Sequence, residues 1–88
     1  MPTETDTNPE EAFREWVDKN PLRRWRHHEK ISIMRAAVGL GVTMTTIQVW
    51  ERGTATPTDG NMDNLESVVG EGTRKAWARW AKNQPKVV

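Results

Sequence analysis

The amino-acid sequence predicts an all-α fold: a compact bundle of five core helices with one extra helix in front. Three observations carry this. Apolar residues recur three and four positions apart, cap residues recur at the starts of the same segments, and no stretch alternates as a strand would. The nearest to a strand is VTMTTIQV at 42–49, but a cap threonine, flanking glycines and helical spacing outweigh its β-branched content. With 88 residues and no internal repeat there is room for one domain, expected at 9–84 between a flexible acidic tail at 1–8 and a short tail at 85–88.

The first helix is expected at 9–19. Asn8 caps it, Pro9 takes the position where a missing N–H costs nothing, and Glu10 and Glu11 put negative charge on the first turn. Phe13, Trp16 and Val17 form its apolar stripe. Asn20-Pro21 repeats the start signal for a second helix at 21–29, with Leu22 and Trp25 on one side and Arg23, Arg24 and Arg26 elsewhere.

Ser32 caps a third helix, 33–40, with Ala36, Ala37 and Leu40 inward. Gly39 is its weak point, costing about 1 kcal/mol relative to Ala in a helix interior. Gly41-Val42 turns the chain and Thr43 caps a fourth helix, 44–52, whose Ile47 and Trp50 face the core. Two short helices joined this tightly are a helix-turn-helix, spanning 32–53.

Gly53 ends the fourth helix and TATP crosses a loop. Thr58 then caps a fifth helix, 59–69, with Met62, Leu65, Val68 and Val69 inward and Gly60 weakening its first turn. Thr73 opens a last helix, 74–83, whose stripe is Ala76, Trp77, Trp80 and Ala81, and Pro85 stops it.

The absence of cysteine excludes disulfides and thiolate metal sites, as is common in reducing cytoplasm, and no signal peptide or membrane span is visible. The expected location is cytoplasmic, on the nucleoid. The net charge of +1 is unevenly spread. Residues 1–19 carry −4, residues 20–53 carry +4, and residues 54–88 carry +1 with every base after 73. Such clustering suits a phosphate-binding face, because each neutralised phosphate releases counterions; a solvated charged surface is the alternative.

In order and spacing, LRRWR at 22–26, IS at 31–32, LGVT at 40–43, TIQVWERG at 46–53 and PT at 57–58, with Met62 and Leu65 following, form a recognisable series. Segment 22–70 resembles the Cro and phage-repressor type of helix-turn-helix domain, lambda-repressor-like, without a gap. The resemblance implies a DNA-binding domain, usually dimeric, in which helix 33–40 lies over the phosphate backbone and helix 43–52 reads bases in the major groove. It also implies a structural pair between Arg26 and Glu51.

The chain departs from that pattern at three positions. Ile33 stands where the family commonly has a phosphate-anchoring glutamine, and Met44 and Val49 stand where base readers often carry Gln, Arg or Lys. The expected base-contacting residues are Met44, Thr45, Gln48 and Val49, giving an A·T-leaning readout in which Gln pairs with adenine and methyl groups meet thymine. Alternatively Met44 and Val49 pack inside the protein or against a partner subunit. The expected phosphate contacts are Arg23, Arg24, Arg35, Thr43, Thr46 and Arg52.

His27, His28 and Glu29 do not make a metal site, since neighbours on a helix diverge by about 100° and no further His or Cys completes a set. No nucleophile, base and orienting group can be assembled, so an enzyme is not expected and no cofactor is needed. Phe13, Trp16 and Val17 in front, and Trp77 and Trp80 behind, either close on each other or build a dimer interface.

Two functions follow. The first is a sequence-specific double-stranded DNA binder, a small prokaryotic or phage-type transcriptional regulator such as a repressor, acting as a homodimer. The second is a helix-turn-helix adaptor, such as an antitoxin, a polymerase-binding factor or a DNA-packaging factor, working through the acidic N-terminal segment or Trp77 and Trp80.

Overall fold

Helix start signals divide the chain into six helices, which a computed structural model describes over residues 8–85. They are α1 (Pro9–Asp18), α2 (Pro21–Glu29), α3 (Ile33–Leu40), α4 (Met44–Glu51), α5 (Asp59–Val68) and α6 (Thr73–Lys82); no strand occurs among the described residues. The expected tails at 1–8 and 85–88 lie outside the described residues, apart from Asn8 and Pro85.

The first five helices begin where a side chain accepts an orphan backbone N–H. Asn8 accepts from Glu10, Ser32 from Arg35, Thr43 from Thr46 and Thr58 from Asn61, at 2.8 to 3.3 Å. Asn20 accepts from both Leu22 and Arg23.

α6 departs from the expectation. Thr73 does not cap it but is its first residue, and its hydroxyl donates to the Gly70 carbonyl. The cap position falls on Gly72, which has no side chain, in a left-handed conformation with φ 95°. The carboxylate of Glu66, on α5, takes the role instead, accepting from the Gly72 N–H at 3.2 Å and the Arg74 N–H at 2.5 Å.

α3 packs on α4 and α5, α5 on α6, and α2 on α6 and α1. The core they enclose is Trp16, Leu22, Ala36, Ala37, Leu40, Ile47, Trp50, Met62, Leu65, Trp77 and Trp80. Phe13, Val17, Trp25, Val69 and Ala76 are half-buried at its edge, and two expected inward residues are exposed. Val68 is 40% exposed because it lies off the line that Met62, Leu65 and Val69 set on α5, and Ala81 is exposed in the last turn of α6, off the line of Thr73, Trp77 and Trp80.

The outer helices close on each other. The Trp16 and Trp80 rings stack with centroids 4.0 Å apart and planes within 2°. Each indole N–H donates to the other residue's carbonyl, at 2.7 and 2.6 Å. Trp77 meets Trp80 edge-on, and both are buried within the chain, so neither ring is offered to a partner. Trp16 also lies against Gly53, whose φ of 76° and lack of a side chain let the chain leave α4 beneath the ring.

Candidate functional site

α4 has one face locked and one face open. Ile47, Trp50 and Glu51 are buried, which follows from their spacing on a helix packed against α3. Met44, Thr45 and Gln48 are left exposed on the other side. Val49 goes to neither extreme: it is half-buried and packs against the core. The structure therefore brings three of the four expected base-contacting residues to an open surface and places the fourth against the protein.

The C-terminal end of α4 is held by two buried polar contacts. Arg26 meets Glu51 in a two-pronged pair, Nε to Oε2 at 2.7 Å and Nη2 to Oε1 at 2.8 Å, and its Nη1 donates to the Ile31 carbonyl at 3.2 Å. The Glu51 hydrogen bond raises the Arg26 guanidinium further above its ordinary range, against the opposing effect of burial. The fork geometry suits arginine and not lysine.

Asn20 supplies the second contact. Fully buried, it donates its side-chain N–H to the Trp50 carbonyl at 3.4 Å while its oxygen caps α2. Its sequence signal is the residue type: the asparagine amide carries its acceptor and its donors on separate atoms, so its oxygen can cap α2 while its nitrogen reaches Trp50. Together Asn20 and Arg26 fix the direction of α4 relative to α2.

The N-terminal end is held locally. Thr43 caps α4, and its hydroxyl lies 2.9 Å from that of Thr46, which is half-buried. Both hydroxyls are thus partly occupied within the helix start. Arg35 is exposed on α3, and Arg52 is exposed at the end of α4, beside a hollow lined by Phe13, Val17, Arg23 and Glu51.

Two of the expected phosphate contacts are elsewhere. Arg23 is half-buried, with Nε 3.1 Å from Asp18 and Nη1 3.6 Å from Glu51, so its charge is already met by carboxylates. Arg24 is exposed but sits two positions from Arg26, about 200° round α2, and lines a groove with Trp25 and Arg79. Ile33 is half-buried against the core, which explains an apolar residue at the start of α3.

Over residues 30–58 the cations Lys30, Arg35 and Arg52 are all exposed, and the only carboxylate, Glu51, is 2% exposed and neutralised by Arg26. The surface of α3, α4 and the following loop therefore carries no exposed acid of its own, although Glu10 and Asp18 of α1 line the hollow beside Arg52. It is also apolar in part: Met34, Val38 and Met44 are 59%, 78% and 46% exposed. The sequence reading missed Met34 and Val38, although their i, i+4 spacing on the side opposite Ala36, Ala37 and Leu40 is visible in it.

Among the described residues no cluster of three or more His, Cys, Asp or Glu is placed to hold a metal ion, and no helix is long and apolar enough to cross a membrane. Comparison of the chain with models of known families, with curated proteins and with solved structures finds no match.

Proposed function

We propose that this chain is a sequence-specific double-stranded DNA-binding protein, with α3 and α4 acting as a helix-turn-helix. α4 enters the major groove, α3 lies over the phosphate backbone, and the protein serves as a small regulator of transcription without a cofactor. It acts as a two-fold dimer on half-sites about 34 Å apart, one turn of DNA. The observation that carries this is the face of α4: Met44, Thr45 and Gln48 stand exposed on a helix anchored at both ends, in a stretch whose exposed charges are all positive.

The chemistry of that face favours A·T pairs. Gln48 has the donor and acceptor that match adenine N6 and N7, the Thr45 hydroxyl serves base or phosphate, and the methyl groups of Met44 and Thr45 suit the thymine methyl. Arg35 and Arg52 supply phosphate contacts.

A gel-shift titration on mixed genomic fragments at rising salt tests the proposal. A regulator retains a few fragments at salt that has already removed non-specific binding; if none is retained, the proposal fails. Alanine at Thr45 or Gln48 should relax the preference among the retained fragments.

A second reading rests on Met34, Val38 and Met44. Three exposed apolar side chains on α3 and α4 support an adaptor that uses this scaffold to bind protein. In that case Met34→Gln and Val38→Gln abolish partner capture, and the gel shift shows only salt-labile binding.

A further inference from the structure

A long open groove runs between α1, α2 and α6, and the proposed DNA contacts do not use it. Its walls carry Trp16, Trp25 and Trp80, and Pro85 lies at one edge. Lys19, Arg24 and Arg79 stand exposed around it, none of their side chains hydrogen-bonded or ion-paired to a described residue, with His27 and His28 beside them. Two carboxylates share the rim, and one of these, Asp18, is already held by Arg23 at 3.1 Å.

We propose that this groove binds an acidic, apolar-anchored segment of a partner protein. The half-buried Trp25 offers an aromatic surface to an apolar side chain, and the unpaired Lys19, Arg24 and Arg79 offer charge to flanking Asp or Glu. A peptide fits this rim better than a nucleic acid does. Glu15 repels a continuous run of phosphates, whereas a peptide with spaced carboxylates can set them against Lys19, Arg24 and Arg79 and pass Glu15 with a backbone N–H.

The groove lies on the side of α2 opposite Arg26, which faces α4, so the partner and DNA occupy different faces of the molecule. The site is independent of the DNA-binding proposal, and either can fail alone.

The test uses the full chain, labelled with nitrogen-15, titrated with a synthetic peptide of alternating Asp and Leu, with its Lys and Leu counterpart, and with a mixed-sequence DNA duplex. The acidic peptide should shift the Trp25 indole signal and the amides of Arg24 and Arg79, and the basic peptide should not. Reversing charge at both exposed arginines, Arg24→Glu with Arg79→Glu, should weaken the acidic peptide by about tenfold or more at unchanged Tm. Arg35→Ala, on the other face, should leave peptide binding unchanged.

The proposal is overturned if the acidic peptide perturbs only other surfaces, or if the double variant binds it as well as the parent chain. Duplex-induced shifts at Trp25 and Arg24 would overturn it in favour of a second nucleic-acid surface. Self-association that disappears in the double variant would overturn it in favour of a second copy as the occupant.

Discussion

Glu51 and Gly53, two residues apart at the end of α4, show how single side chains set the direction of the proposed reading helix. Glu51 meets Arg26 where both are almost fully buried, so truncating it leaves a guanidinium without its partner. Removing one member of such a pair costs about 3–5 kcal/mol, whereas an exposed ion pair such as Arg74 with Asp59 contributes far less. Glu51→Ala should therefore lower stability in urea unfolding by several times the effect of Asp59→Ala; equal effects would remove the Arg26 pair as an anchor. Gly53 acts through space and backbone together. A methyl group there would overlap the Trp16 ring at a φ of 76°. Gly53→Ala should cost about 1–3 kcal/mol from the left-handed backbone alone, and displacement of the stacked Trp16 and Trp80 should change the tryptophan emission. At this scale the sequence was a good guide to roles that one residue plays alone, such as the caps Asn8, Ser32, Thr43 and Thr58. It was a poorer guide to roles that need a distant partner, except where the resemblance supplied one, as for Arg26 with Glu51. Asn20 reads as a cap, and its bond to Trp50 appears only when α2 and α4 are packed.

Among the elements, α6 is the one whose start depends on another helix. Glu66 of α5 accepts two backbone N–H groups there, and these bonds, the Arg74 N–H foremost, hold its carboxyl below the ordinary value of 4.5. A carboxyl depressed on folding stabilises the fold above its unfolded value and loses that contribution as pH falls through the folded value. The difference in Tm between the parent chain and Glu66→Gln should be constant near neutral pH and shrink as pH drops below about 4.5. A difference that persists undiminished at low pH would mean that the charge on Glu66 does not hold α6. The contrast with the other helices shows what the sequence makes legible. Five helices carry their start signal as a residue adjacent to the helix, so their positions could be read from the chain. For α6 the expected cap, Thr73, is displaced by one residue because the capping oxygen comes from Glu66 on the preceding helix. The end of α2 falls at residue 29 as expected, although its left-handed residue is Lys30, with φ 58°, where glycine is the usual signal.

Charge at the scale of the whole molecule is divided between two faces by α2, and periodicity along one helix could not assign the arginines to them. The sequence groups Arg23, Arg24, Arg35 and Arg52 as phosphate contacts; the packed structure turns Arg23 toward Asp18 and Glu51 and puts Arg24 in the groove with Trp25 and Arg79. Of these four, only Arg35 and Arg52 remain exposed in the stretch 30–58 that contains α4, whose one carboxylate, Glu51, is buried against Arg26. This division is measurable through salt, because each phosphate contact contributes a released counterion and about 0.9 to the slope of log K against log salt. In gel shifts or fluorescence anisotropy across a range of salt, Arg35→Ala and Arg52→Ala should each reduce that slope by about 1 per subunit. Arg24→Ala should leave it unchanged, since its side chain faces away from α4. Arg23→Ala should also leave it unchanged, although it should lower stability slightly by freeing Asp18. Equal slope changes for all four substitutions would mean that DNA wraps both faces of the molecule, and the groove between α1, α2 and α6 would then belong to the nucleic-acid surface. Loss of slope at Arg35 and Arg52 alone would place the phosphate contacts on the α3 and α4 side and leave the tryptophan-lined groove free while DNA is bound.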